Sequence, residues 1–253
     1  MKSRFTALVA GAAAMIGVAA GPASGQSIET YRHIILDGHQ VKWGSPAAGT
    51  GAVVTYALLD ATRNFPAARN CGAMAPMAPL LAENGVSAKA FDTELRAAFA
   101  LWSGAANIRF VPAEATDSAD LLIGAQAKPR GRAFTNVEYE ATGPNGGVRR
   151  LTRSLICFSP EHPWKIGFDG NLEIYDLRYA LLHEIGHAIG LDHPAIAGVL
   201  MDFRYLEEFR APQNGDILGA VALYGPSLTP TATPSDDGRR LANAKAPRPI
   251  PGG

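Results

Sequence analysis

His183-Glu184-Ile185-Gly186-His187-Ala188-Ile189-Gly190-Leu191-Asp192-His193 gathers half of the chain's six histidines into eleven positions. His183 and His187 are four residues apart, so on a helix their imidazoles project from one face, one turn apart, where a single metal ion can bridge them. Gly190 follows where such a helix needs a left-handed end, which a residue without a Cβ adopts cheaply, and the reversal brings His193 toward the same ion. Three neutral imidazoles around a tetrahedral ion leave one position open, the arrangement of a catalytic zinc rather than a closed structural one. Zinc lowers the pKa of a bound water from about 16 to about 7, yet a base must still collect the proton and deliver it to a leaving group. Glu184, beside the first histidine, is placed for that task. Given this composition, the fixed residues would coincide by chance in on the order of one in 10^5 such chains.

Working outward, the helix that carries this stretch is expected to start near Asn171, with Ile174, Leu177, Leu181 and Ile185 on its apolar side. A first long helix follows Ser87, where Phe91, Leu95, Ala98, Phe99 and Trp102 recur at helical spacing. Strands are expected at 52–59, 108–111, 121–123, 133–139 and 151–158, and a short last helix at about 212–224 with Ile217, Leu218, Val221 and Leu223 inward. In 133–139, Ala133, Thr135, Val137 and Tyr139 alternate with Phe134, Asn136 and Glu138, as in a half-exposed edge strand. Such an edge either accepts an extended peptide as an added strand or is simply charged against aggregation. Strands first, helices inserted and a helical end make an α+β domain.

The chain of 253 residues is 47% hydrophobic and 18% charged, with 23 basic and 23 acidic residues. That balance excludes a disordered, nucleic-acid-coating or polytopic membrane chain and points to no nucleic-acid partner. Lys2 and Arg4, an apolar run to about Ala20, and the small residues Ala23-Ser24-Gly25 have the layout of a secretory signal peptide over 1–25. The segment 226–253 carries six prolines and a Thr/Ser cluster, a composition expected to stay disordered. Residues 26–225 remain as one domain with a real core. Two cysteines, Cys71 and Cys157, in a chain expected to be exported make a single disulfide reasonable, although sequence does not fix their separation.

The histidine stretch resembles the extended zinc signature of the metzincin metallopeptidases, which continues to a downstream Met-turn. Met201, within Val199-Leu200-Met201, follows His193 at the interval found in the matrixin branch, which includes the matrix metalloproteinases. The similarity extends through Lys42-Trp43, Phe99-Ala100-Leu101-Trp102, Ala119-Asp120-Leu121-Leu122-Ile123-Gly124, and Gly215-Asp216-Ile217 to Leu223-Tyr224-Gly225, spanning roughly residues 40–225. The resemblance implies a zincin-like α+β domain: a twisted five-stranded mixed sheet with two long helices, a cleft over the zinc and a small C-terminal helical subdomain. It implies His183, His187 and His193 as the ligands of one catalytic Zn2+, and Glu184 as the general base. Met201 would form a hydrophobic base beneath the ligands. The expected activity is that of a secreted, monomeric zinc endopeptidase acting on protein or peptide substrates, with no stable membrane insertion once the signal is removed. The alternative is a non-catalytic zinc-containing binding or adhesion module on the same fold.

The pattern is departed from at several points. Pro194 follows the third histidine where matrixins usually have Ser or Thr, and Asp202-Phe203 replaces the usual Tyr-Pro, which alters the pocket for the substrate side chain just beyond the cut. Tyr205 lies four residues after Met201 rather than two, so it is read as a pocket-wall or surface residue and not as a fifth ligand. Cys71-Gly72 faintly resembles the family's latency switch, but pairing with Cys157 is the more economical reading. Calcium is a candidate second ion near Asp120 or the Asp169-Gly170 turn.

Overall fold

The computed structural model describes residues 30–142 and 147–228. The expected signal peptide, 1–25, lies outside the described residues, as does the expected tail beyond residue 228. Five long strands build the sheet: β1 (Ala52–Leu58), β2 (Ile108–Pro112), β3 (Leu121–Gln126), β4 (Ala133–Tyr139) and β5 (Arg149–Phe158). Their order is β2-β1-β3-β5-β4; neighbours are parallel except β4, which runs antiparallel to β5 and forms an edge. Short strands extend this frame, His39–Lys42 beside the start of β5 and Ala73–Ala75 beside β3. The mixed sheet and its two long helices make the expected α+β domain.

The helices are α1 (Ala78–Glu83), α2 (Ala88–Ala105), α3 (Leu177–Ala188) and α4 (Asn214–Tyr224). Ser87 caps α2 by accepting from Ala90 N at 3.1 Å, and the apolar stripe read from the sequence, Phe91 to Trp102, is buried. α2 supplies the crossover between the parallel strands β1 and β2. Trp102 Nε1 donates to Leu182 O of α3 at 2.9 Å, so the largest buried side chain of α2 also satisfies its one polar atom.

Two expectations need correction. The zinc-motif helix begins at Leu177, not near Asn171: residues 171–174 form a turn, Tyr175–Asp176 pairs with Trp164–Lys165, and the Asp176 carboxylate caps the helix by accepting from Tyr179 N. A carboxylate that can take the first free N–H groups outweighs an apolar spacing that merely permits an earlier start. In α4 the inward face is Gly215, Gly219, Ala220, Leu223 and Tyr224, and Leu218 is 54% exposed. Small residues are required there because the chain at 30–31 lies directly on them: a Cβ on Gly215 would meet Thr30 O at 2.3 Å, and one on Gly219 would meet Tyr31 at 3.0 Å. The short helix α1, with Leu80 and Leu81 buried, has no counterpart among the expected elements.

Strand alternation divides the core between two faces. Leu121, Ile123, Ile156 and Phe158 join α2 and α3 in the main cluster, whereas Leu122, Leu155 and Cys157 face the other way, with Leu59, Met74 and Cys71. On that second face Cys71 and Cys157 form a disulfide across 86 residues of sequence, with Cα atoms 5.8 Å apart. Closing so long a loop restricts the unfolded chain, so replacing both cysteines by Ala is expected to cost about 2–4 kcal/mol. Thermal denaturation of the double variant, compared with the parent chain in and out of reductant, measures it. Equal midpoints would show that the second cluster holds without its crosslink.

Candidate metal centre

α3 presents His183 and His187 on one side, and the chain just beyond its C-terminus is fixed from several directions. The last carbonyls of the helix do not face solvent: Ala188 O accepts from Trp43 Nε1 at 2.8 Å and Ser154 Oγ at 3.1 Å, and Ile189 O accepts from the Tyr224 hydroxyl at 2.7 Å. Trp43 and Tyr224 therefore close the end of this helix. Gly190 then turns the chain with φ +103°. The next two residues, Leu191–Asp192, pair antiparallel with Arg32–His33, and Ile34 N donates to Gly190 O at 2.8 Å. This short ladder brings His193 back over α3.

The three imidazoles converge. His193 Nε2 lies 3.0 Å from His183 Nε2 and 3.1 Å from His187 Nε2. His183 Nδ1 is 2.9 Å from Leu200 O, and His187 Nδ1 is 2.8 Å from Leu191 O. A carbonyl only accepts, so each of these Nδ1 atoms carries the proton and each Nε2 offers a lone pair. Two such lone pairs face a third ring nitrogen, and a single N–H on His193 could serve only one of them; one cation serves all three. Burial holds the His183 imidazolium down at about 3 and that of His187 at about 4, so both rings are neutral near pH 7 and available as donors. Among the described residues, these histidines form the group whose ligand atoms could hold a metal ion. The donor set fits zinc.

Support reaches the centre through Met201. A Cβ on Gly186, the residue before His187, would lie 2.3 Å from Met201 Sδ, so the thioether rests against the backbone of α3. The buried Asp216 carboxylate of α4 accepts from Leu200 N at 2.8 Å and Met201 N at 3.0 Å, while Leu200 O holds His183. One acidic side chain thereby ties α4, the Met201 segment and the His183 ring into one unit. The interval from His193 locates Met201 in the sequence, but no spacing signals that Asp216 will hold it.

Glu184 is buried next to the histidines, and Thr135 Oγ1 of the edge strand β4 lies 2.7 Å from its Oε2 and 2.9 Å from its backbone O. Burial pushes the carboxyl up to about 7, and the Thr135 contact counters part of that. In the sequence Thr135 is one member of an alternating edge; its contact with a residue 49 positions away has no local signature. A cavity of about 560 Å3 opens over the three histidines and Glu184, bounded on one side by Thr135 and Val137 of β4 and on another by Trp164, Tyr175, Tyr179 and Tyr205. Tyr205 thus belongs to the pocket wall, its hydroxyl accepting from Asp176 N at 2.9 Å. Asp120 and Asp169, the calcium candidates, are engaged by protein donors: Thr55 N and Oγ1 at 2.8 Å for Asp120, and Lys165 for Asp169.

The chain is 28% identical to karilysin of Tannerella forsythia over 139 residues, covering 53% of this chain and 28% of that protein. It is 29% identical to the interstitial collagenase of Sus scrofa over 147 residues, covering 55% and 29%. With matrix metalloproteinase-16 of Homo sapiens it shares 36% identity over 76 residues, covering 27% and 12%. The match spans less than a third of the length of each of these relatives. The matrixin family profile matches residues 80–225, which take in most of α1, all of α2 to α4 and every residue of the histidine cluster. This chain belongs to the matrixin peptidase family.

Proposed function

We propose that the chain is a secreted zinc endopeptidase in which His183, His187 and His193 hold one catalytic ion and Glu184 is the general base. The observation that carries the reading is the placement of Glu184: a buried carboxylate adjoining three convergent imidazole nitrogens, in the wall of a cavity open to solvent and fixed by Thr135. When bound, zinc supplies a Lewis acid for the scissile carbonyl and acidifies a water molecule. The chain's own part is to keep two rings in the metal-binding tautomer through Leu200 O and Leu191 O. Glu184 takes the proton of the attacking water on its carboxylate and hands it to the departing amine. An extended substrate lies along the free edge of β4, whose other edge is paired to β5.

The remaining assignments rest on the sequence pattern: a signal peptide at 1–25, the peptidase domain at 26–225 and a Pro-rich tail at 226–253. Among the described residues no helix is long and apolar enough to cross a membrane. The test is hydrolysis of casein or gelatin by the zinc-loaded chain with and without a chelator. Activity is expected to fall to background on chelation and to return with added zinc. Zinc binding without cleavage of any protein or peptide substrate would instead assign a binding module on the same fold.

A further inference from the structure

β4 is bonded to the sheet along one side only, yet it is the strand that an extended substrate would join. In an antiparallel pair, residues that bond the partner alternate with residues whose N–H and C=O point away from it. Ser159 N donates to Arg132 O at 2.6 Å, and the register continues with Phe134 opposite Cys157 and Asn136 opposite Leu155. Ala133, Thr135 and Val137 therefore turn their backbone groups to the free edge. A peptide gains full value from such groups only where they are already ordered, because ordering them on binding subtracts from affinity.

On the opposite face of the sheet from the metal centre, a hairpin crosses three strands and is fastened to each by a different bond. Arg63–Asn64 pairs with Ala73–Met74, and Phe65 N donates to Gly72 O at 2.8 Å across the intervening loop. Met74 and Ala75 pair with Gln126 and Ala125 of β3. Cys71 is joined to Cys157 of β5 by the disulfide. Asn136 of β4 ends the series: its Oδ1 accepts from Cys71 N at 2.9 Å and from Asn70 N at 3.2 Å. Burial of Met74, Leu122 and Leu155 accounts for a hairpin laid over β3 and β5, but not for a polar fastening that reaches the edge strand. Side chains alternate along β4, so Asn136 faces the hairpin while Thr135 and Val137 on either side of it face the cavity.

We propose that Asn136 is a positioning residue for the substrate, through which the hairpin 63–75 holds the edge-facing backbone of Thr135 and Val137 ready before a peptide pairs with it. The proposal rests on the peptidase reading and on the placement of substrate along β4. If Asn136 served only to satisfy the buried Cys71 N–H, its loss would lower stability without regard to the length of what binds.

The test therefore reads length. The full zinc-loaded chain is titrated calorimetrically with two non-hydrolysable probes, acetyl-alanine hydroxamate and a capped tetra-alanine hydroxamate. The longer probe is expected to bind the parent more tightly. Asn136→Ala should weaken the longer probe about tenfold, the cost of ordering one residue's backbone on binding, while the shorter probe and the zinc stoichiometry are unchanged. Asn136→Asp keeps an oxygen that accepts both N–H groups and should restore the difference. An equal loss for both probes, or no loss for either, overturns the proposal, as does a parent chain that gains nothing from the longer probe. Hydrogen exchange of the parent needs no variant to fold: the Phe134 and Asn136 amides should exchange as slowly as those of β5, and exchange at the rate of a frayed terminus overturns the proposal. Casein hydrolysis by the parent is scored separately. A length-dependent loss in Asn136→Ala without casein cleavage would support the positioning role and count against the peptidase reading alone.

Discussion

Glu184→Gln is expected to lower kcat for peptide hydrolysis by about 10^2- to 10^4-fold, the contribution of a positioned general base, while one zinc per chain is retained. The substitution keeps the volume of the side chain and an oxygen that can still accept from Thr135 Oγ1, so the 2.7 Å contact with β4 need not be lost. The three imidazole nitrogens are untouched, because the tautomers of His183 and His187 are set by Leu200 O and Leu191 O and not by Glu184. What the amide lacks is the capacity to take a proton from water and return it to the amine. Metal analysis of the purified variant beside its steady-state kinetics distinguishes the causes. Lost turnover with zinc in place assigns the base, lost turnover with lost zinc assigns a structural role, and undiminished turnover removes Glu184 from the mechanism.

The parts of the centre that are legible in the sequence are those whose geometry is local. His183 and His187 are neighbours because an α-helix returns to the same face after four residues, and Gly190 announces a left-handed turn whatever the rest of the fold does. The stripe from Phe91 to Trp102 is readable for the same reason. Edge strand β4 is readable by its alternation, which matches the observed limits Ala133–Tyr139.

The parts that escape are set by contacts between distant segments. No spacing indicates that Asp216 will hold Met201 N, that Thr135 will reach Glu184, or that Tyr224 and Trp43 will share the end of α3. Hydrophobic periodicity also misleads where close approach matters more than apolar area. In α4 it turns Leu218 inward, but the face that touches residues 30–31 is made of glycines because backbone must lie against backbone. At α3 the apolar positions reach back to Ile174, yet the helix waits for Asp176, whose buried carboxylate is fixed by Arg210 through Nε at 3.0 Å and Nη2 at 2.9 Å. A cap held from 34 residues away is a tertiary fact.

Gly190→Ala is the substitution expected to cost the chain most for the fewest atoms, about 2–5 kcal/mol, with zinc affinity falling alongside. Two penalties combine. At φ +103° an L side chain is strained wherever it sits, and here the added Cβ would lie 2.2 Å from Val41 O and 3.1 Å from Leu223 Cδ1. Val41 is itself fully buried and paired with Arg149 at the start of β5, so the carbonyl cannot yield without disturbing the sheet. The alternative is for Gly190 to move, and everything C-terminal to it moves as well: the Ile34 N–H contact on its carbonyl, the pairing of Leu191–Asp192 with Arg32–His33, and then His193. Since His193 Nε2 is the atom that both other imidazoles face, a small shift of this turn opens the metal centre while leaving His183 and His187 on an intact helix. Stability and metal binding should therefore fall together for Gly190→Ala, whereas His193→Ala should lose metal binding without the strain at the turn. Denaturant midpoints and zinc titrations of the two variants, measured on metal-free and zinc-loaded protein, resolve the difference. A Gly190→Ala chain with parental stability and parental zinc affinity would show that the turn can relax, and that the left-handed reversal is not what brings the third histidine home.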